Sequence, residues 1–141
     1  IPGVVYSTCT MNPFENEAVI AEVLRRCDGA VRLGVPRLPA PLRPMLAHGL
    51  PWWDVAGCIR AASHRDRRNA AALLKSLEPP RPADEAAREA LRLCRRVLPH
   101  TLPPEARHLD GFFFARLERR DGAPMPFLPL ATNPSGGIAP A

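Results

Sequence analysis

Three short stretches of this chain have the apolar patterns that are typical of strands. Residues 4–7 form a β-branched and aromatic run, while residues 31–35 and 111–118 show two-residue periodicity. Such stretches are typical of strands. In the last one, a single face would carry Phe113, Ala115 and Leu117. The pattern predicts three strands, with residues 4–7 and 112–117 in the same sheet.

A longer stretch, residues 13–26, places its apolar residues at helical spacing. Asn12 is a good N-cap, Pro13 fits the first helical position, and Glu15 completes a capping box. The pattern therefore predicts a helix over 13–26, with Cys27 packed at its end.

A second stretch with helical spacing covers residues 84–98, and Asp84 can cap it. Cys94 falls on its apolar face, which predicts a core position. His100 follows the expected end of this helix, where an anchoring role in a loop is the simplest interpretation.

Prolines mark the segments between these elements. Residues 36–51 are expected to form an extended surface loop, the start of a Pro-rich and basic insertion over about 36–83. Trp52 could stack on a nucleic-acid base, whereas Trp53 is expected to pack onto the core. Residues 119–141 are rich in Pro and Gly without periodicity, which predicts a disordered tail.

Composition narrows the class of protein only partly. The chain has 141 residues, enough for one domain, with 18 prolines and a net charge of +5. All basic residues except one lysine are arginine, which suits RNA phosphates. Arginine-rich usage is equally explained by a GC-rich genome, so both explanations stay open.

The cysteines and the apolar runs exclude several classes of site. The four cysteines form no Cys-x-x-Cys pair, so no metal site is expected. No signal peptide and no apolar run near 18 residues is visible, which predicts an intracellular protein without a membrane partner. Because the sequence starts at Ile1, directly on a strand, we expect it to be a fragment of a longer polypeptide.

The most reactive position that the pattern suggests is Cys9. This residue lies in a turn between the first strand and the first helix, where the helix dipole would favour thiolate. A thiolate is the nucleophile in covalent catalysis. The alternative is a buried cysteine that packs as a small apolar side chain.

Residues 6–17 read Tyr-Ser-Thr-Cys-Thr-Met-Asn-Pro-Phe-Glu-Asn-Glu. This string resembles the signature of the Sun/Nop-type RNA (cytosine-5) methyltransferases, in which the Thr-Cys pair carries the attacking cysteine. Residues 49–55, 93–100 and 110–115 resemble further blocks of that family. Their order and spacing are most similar to the eukaryotic tRNA-modifying subgroup, over residues 4 to about 118.

The resemblance implies an α/β fold in which residues 1–118 form the C-terminal half of a Rossmann-like, S-adenosylmethionine-dependent methyltransferase sheet with long Pro-rich loops. It also implies that Cys9 adds to C6 of a cytosine in RNA, with tRNA as the expected substrate. The expected supporting turn comprises Ser7, Thr8, Asn12 and Pro13. The cofactor-binding residues and the second cysteine of the family have no counterpart here, so both are expected upstream in the parent polypeptide. A eukaryotic source would imply a nuclear location.

A basic strip over residues 60–75 is the local candidate for contacts with RNA phosphates. Its members are Arg60, Arg65, Arg67, Arg68 and Lys75. A solvated charged face is the plainer interpretation. The chain also departs from the family near residues 74–80, where the usual arginine is missing.

Two other functions stay open from the sequence. The chain could be a non-catalytic basic module that binds RNA, with Cys9 degenerate. It could also be a cysteine hydrolase that uses Cys9 and His100, although no third partner is recognisable.

Overall fold

In the computed structural model, which describes residues 3–57, 77–108 and 110–121, strands and helices form a mixed α/β arrangement. The elements in chain order are β1 (Gly3–Thr8), α1 (Glu17–Arg26), β2 (Val31–Gly34), β3 (Leu46–His48), α2 (Glu85–Leu91), β4 (Arg95–Val97) and β5 (Phe112–Arg119). Short 3-10 helices lie at Ala40–Met45, Pro99–Thr101 and Pro104–Ala106.

Strand β5 is the centre of a five-stranded antiparallel sheet. Its residues 113–118 pair with β1 on one edge, from Gly3 opposite Glu118 to Thr8 opposite Phe113. Strands β2 and β4 pair with β5 as well, at its end and at its start respectively, and β3 pairs with β4. Because β1 and β2 both run antiparallel to β5, they are parallel to each other.

The core lies between the helices and one face of the sheet. Phe113 and Ala115 are fully buried there, as the periodicity of this strand predicts. The main core cluster is completed by Ala18, Ile20, Leu33, Trp53, Leu91 and Cys94. On the opposite face Phe112 stays 41% exposed. The predicted strands at 4–7, 31–35 and 111–118 are thus confirmed, with shifts of one or two residues at their ends.

Helix α1 begins at Glu17, so the prediction of a start at Pro13 is wrong. Residues 13–16 form turns instead. The side chain of Asn16 is drawn into the preceding turn, where it binds Thr8 and Thr10, and it makes no capping bond to the helix. Asn12 does not cap α1, but its side chain stabilises the turn before the helix, since its Oδ1 accepts from the Phe14 N–H at 3.0 Å.

The predicted helix over 84–98 is correct only in its first half. Asp84 does cap it, with Oδ1 accepting from the Ala87 N–H at 3.2 Å, but α2 ends at Leu91. Residues 95–97 form β4, between β3 and β5. The free edge of β5 offers backbone hydrogen bonds to this segment, and tertiary pairing overrides a helical pattern.

The expected extended loop over 36–51 is also wrong in part, since it contains a 3-10 helix and strand β3. Residues 58–76 of the predicted insertion lie outside the described residues, as does the tail from 122 onward. Residue 119, expected to begin that tail, is the last residue of β5. Arg120 is also ordered by the sheet, because its N–H donates to the Ala30 carbonyl at 2.9 Å.

Candidate active site around Cys9

Cys9 directly follows the last residue of β1 and is exposed. The prediction that it lies at a strand end is confirmed, and packing as a buried side chain is excluded. Its expected position at the start of a helix is wrong, because residues 10–16, of which 13–16 form turns, separate it from the first helical residue, Glu17. A helix dipole acts mainly within the first turn, so this geometry removes the helix-dipole basis for an activated thiolate.

Side chains on both sides of Cys9 fix the segment formed by residues 9–16, the Cys9 turn. The Thr8 hydroxyl donates to Asn16 Oδ1 at 2.5 Å, and Asn16 Nδ2 donates to the Thr10 carbonyl at 2.9 Å. Asn16 is fully buried. These bonds join the end of β1 to the start of α1 and leave Cys9 between them, facing solvent.

A second set of bonds orders the other half of the turn. The Thr10 hydroxyl accepts from the Asn12 N–H at 3.0 Å, and Asn12 Nδ2 donates to Glu15 Oε1 at 3.3 Å. The Pro13 carbonyl accepts from the Ala18 N–H at 2.9 Å. Short polar side chains that bind nearby backbone are well suited to such turns.

The structure therefore brings three of the four predicted turn residues together. Thr8, Asn12 and Pro13 all contribute hydrogen bonds around Cys9. Ser7 does not, since it lies in β1 opposite Phe114 and is exposed. Asn16 lies in the family string but is not among the residues predicted to support the turn. Its side chain nevertheless makes two of the bonds that hold the turn together.

A buried ion pair between Glu17 and Arg96, which the sequence does not predict, lies beneath this turn. Arg96 Nε donates to Glu17 Oε1 at 2.7 Å, and a second bond joins Arg96 Nη2 to Glu17 Oε2. Arg96 also lies over the Phe113 ring, with its guanidinium carbon 5.8 Å from the ring centre. The sequence offers one indication of this pair. Once residues 95–97 are assigned to β4, Arg96 occupies an inward-facing position opposite Phe113.

The other described cysteines, Cys27 and Cys94, are buried. Cys27 ends α1 in the core, as predicted. Burial, with the nearby Glu17 carboxylate adding to it, raises the pKa of the Cys94 thiol to about 12. Cys94 is therefore a neutral thiol at any ordinary pH. Cys58 lies outside the described residues.

The remaining sequence candidates have mixed outcomes. Trp53 packs in the core and its Nε1 donates to the Leu77 carbonyl at 2.8 Å, whereas Trp52 is 54% exposed. His100 is exposed in the 3-10 helix Pro99–Thr101, and within the described ranges no hydrogen bond joins it to Cys9. The basic strip, Arg60, Arg65, Arg67, Arg68 and Lys75, lies outside the described residues.

Cavities along the described residues lie away from Cys9. One is beside the loop from Val35 to Pro39, one lies between α1 and α2, and one lies against α1 near Leu77. Cys9 lines none of these three cavities, although the third reaches Phe14, which follows it in the turn. Over residues 3–57, 77–108 and 110–121, no group of three or more His, Cys, Asp or Glu residues could hold a metal ion. In the same ranges, no helix has the length and apolar character needed to cross a membrane.

Comparison with known proteins gives the family. No protein-family model matches the chain. A tRNA (cytosine(34)-C(5))-methyltransferase of Drosophila melanogaster is 37% identical over 122 residues, which is 82% of this chain and 15% of that protein. Multisite-specific tRNA:(cytosine-C(5))-methyltransferases of Saccharomyces cerevisiae and Schizosaccharomyces pombe are 33% and 31% identical, over 82% and 83% of this chain.

The chain thus spans about 15% of the length of the curated relatives that it matches. The described residues form a mixed α/β structure with an antiparallel sheet, compatible with part of a methyltransferase domain, and carry an exposed cysteine on a strand-end turn. On these alignments, the chain belongs to the Sun/Nop-type RNA (cytosine-5) methyltransferase family, in its tRNA-modifying subgroup.

Proposed function

We propose that this chain carries the nucleophile of an RNA (cytosine-5) methyltransferase that acts on tRNA. The observation that supports the proposal most directly is the exposure of Cys9 on a turn held by Thr8 and Asn16. A nucleophile must reach its target atom while its backbone stays fixed, and this turn provides both conditions.

The chemistry assigned to Cys9 is addition and elimination. Its thiolate forms a bond to C6 of cytosine, and the electrons of the C5–C6 double bond make C5 nucleophilic. After C5 is methylated, loss of the C5 proton restores the double bond and breaks the S–C6 bond. The covalent intermediate replaces one difficult substitution by two easier steps. Access to C6 in folded RNA requires extrusion of the base.

Family membership implies S-adenosylmethionine as the methyl donor. Cys9 lines none of the three cavities described above, and the family resemblance implies that the cofactor-binding residues lie upstream of this chain. We therefore assign no cofactor contact to this chain and expect those residues in the rest of the protein. The same holds for the second cysteine of the family.

The architecture supports a partial domain completed by more of the polypeptide. Strands β1 and β2 are parallel and joined by α1, a connection that Rossmann-like sheets use. Val4 and Val5 of β1 are 58% and 64% exposed, at a strand that pairs only with β5 among the described strands. We propose that residues 1–118 are the C-terminal portion of a catalytic domain whose sheet continues beyond β1.

The basic strip at 60–75 completes the proposal as a surface for RNA phosphates. Arg60, Arg65, Arg67, Arg68 and Lys75 would contribute sequence-independent affinity. For a eukaryotic source, the proposal extends to a nuclear location.

The test is covalent capture. The complete protein that contains this chain is incubated with S-adenosylmethionine and tRNA transcribed with 5-fluorocytidine. Fluorine replaces the C5 proton, so elimination stops and a protein–RNA adduct survives denaturation. We expect the adduct to map to Cys9 by peptide mass spectrometry, and Cys9→Ala to abolish both adduct and methylation.

Cys27→Ala is the matched control, because it removes a buried thiol and should leave capture intact. Methylation that persists in Cys9→Ala, or an adduct on another cysteine, contradicts the assignment. RNA retained without any adduct would favour the alternative of a non-catalytic RNA-binding module.

A further inference from the structure

Four separate segments of the chain meet at the Glu17–Arg96 pair. Glu17 is fully buried and Arg96 is 5% exposed. Besides its two bonds to Glu17, Arg96 donates through Nη1 to the Met11 carbonyl at 3.0 Å. Glu17 Oε1 also accepts from the Leu50 N–H at 2.9 Å. The pair thus joins the Cys9 turn, α1, the segment after β3, and β4.

A buried ion pair is not explained by stability alone. Removing two charges from water is costly, and well-packed apolar residues often stabilise a core as well or better. What the pair does provide is direction, because a planar guanidinium fixes several donors relative to one another. Two of these donors hold Glu17 and another holds Met11, only two residues after Cys9.

Met11 is constrained from its side chain as well. A Cβ placed on Gly111, which precedes β5, would lie 2.9 Å from Met11 Cγ and 3.0 Å from its Sδ. The absence of a side chain at residue 111 therefore lets Met11 lie directly against that backbone. The C-terminal half of the Cys9 turn is held through the Met11 backbone by Arg96 and through the Met11 side chain by Gly111.

We propose that Glu17 and Arg96 are positioning residues for the Cys9 thiol: they fix Met11, and with it the direction from which Cys9 attacks its target atom. The inference rests on the proposed function, since it concerns the geometry of that reaction. A displacement of about 1 Å at a reacting group can lower a rate by about 10²-fold.

The diagnostic variant is Arg96→Lys in the complete protein. Lysine retains the positive charge beside Glu17, so folding should be kept, but it cannot bind Glu17 and the Met11 carbonyl in the same geometry. We expect kcat for tRNA methylation to fall about 10- to 100-fold. The KM for tRNA should stay within about threefold, and the loss of kcat should remain when the rate is expressed per folded molecule.

Cys94→Ala is the control for a purely structural effect. It makes a cavity in the same core, two residues before Arg96, without a bond to the Cys9 turn. It should lower Tm and leave kcat per folded molecule unchanged. An Arg96→Lys protein with wild-type kcat, or with a loss that follows the folded fraction as in Cys94→Ala, overturns the positioning role.

Gly111→Ala tests the same inference if Arg96→Lys does not fold. Its methyl group should displace Met11 and lower kcat, and the double variant with Met11→Ala should recover activity. Wild-type kcat in Gly111→Ala, together with an Arg96→Lys protein that does not fold, overturns the inference. A wild-type protein that neither methylates tRNA nor forms the 5-fluorocytidine adduct refutes the proposed function itself, so the two failures are distinguishable.

Discussion

At the scale of single residues, environment separates the described cysteines. Cys9 is exposed, whereas Cys27 and Cys94 are 3% and 0% exposed in the core. Burial and the Glu17 carboxylate raise the pKa of Cys94 to about 12, from an ordinary value of 9.0. A thiol in that state is a poor nucleophile, because the thiolate is the reactive form. Reactivity of the described cysteines is therefore expected at Cys9.

The raised pKa of Cys94 makes stability depend on pH in a defined direction. Below pH 9 both the folded and the unfolded chain hold this proton, so the contribution is fully present. Between about pH 9 and 12 only the unfolded chain loses the proton, so the free energy of unfolding should fall by about 1.4 kcal/mol per pH unit.

Cys94→Ala removes that dependence, so the difference in stability between wild type and variant should shrink from pH 9 to pH 11. Urea unfolding at a series of pH values measures it. Parallel pH profiles for the two proteins would show that Cys94 does not titrate as described.

At the scale of elements, close backbone contact holds the small strands against α2. The Gly49 N–H donates to the Cys94 carbonyl at 2.9 Å, just after β3 and just before β4. A Cβ on Gly49 would collide with the Leu91 carbonyl oxygen and lie 2.7 Å from Cys94 Cβ. Neither atom is the end of a flexible side chain, so the contact cannot relax without moving α2 or β4.

Gly49→Ala should therefore lower the free energy of unfolding by about 1–3 kcal/mol, the usual range for overpacking a core. Gly34→Ala is a matched control in β2, since the three atoms nearest to its Cβ would all belong to the Glu118 side chain, which can rotate away. We expect the control to cost less than Gly49→Ala in denaturant titrations. Equal costs would indicate that the junction after β3 can adjust.

At the scale of the whole molecule, the sheet has an open edge at β1. This strand pairs with β5 alone among the described strands, and Val5 on it is 64% exposed. An exposed apolar edge strand is a site for pairing with another chain segment. Together with the 15% coverage of the relatives, this edge supports a sheet that continues in the rest of the protein.

Val5→Lys tests whether the sheet continues beyond β1, because it should have opposite effects on residues 1–141 alone and on the complete protein. In residues 1–141 expressed alone, a lysine at the open edge should reduce self-association, measured by analytical ultracentrifugation. In the complete protein the same lysine would be buried at a strand pair and should lower Tm. No change of Tm in the complete protein would place β1 at a true edge there.

Features set by neighbouring residues could be determined from the sequence itself. These include β1, the burial of alternate residues in β5, the Asp84 cap, and the position of Cys9 in a turn at the end of a strand. Each depends on side-chain periodicity or on a bond between residues a few positions apart. The family string around Cys9 is likewise contiguous, so its resemblance was visible without a structure.

Only the tertiary structure decided the rest, because the deciding partners lie between six and 79 residues apart, beyond the range of local side-chain patterns. Residues 95–97 become a strand since β5 offers an edge there, and α1 starts late since Asn16 binds Thr8 and Thr10. Glu17 and Arg96 are 79 residues apart, and no local pattern relates them. A buried charge is tolerable only beside its partner, so the support beneath the Cys9 turn exists only in the folded chain.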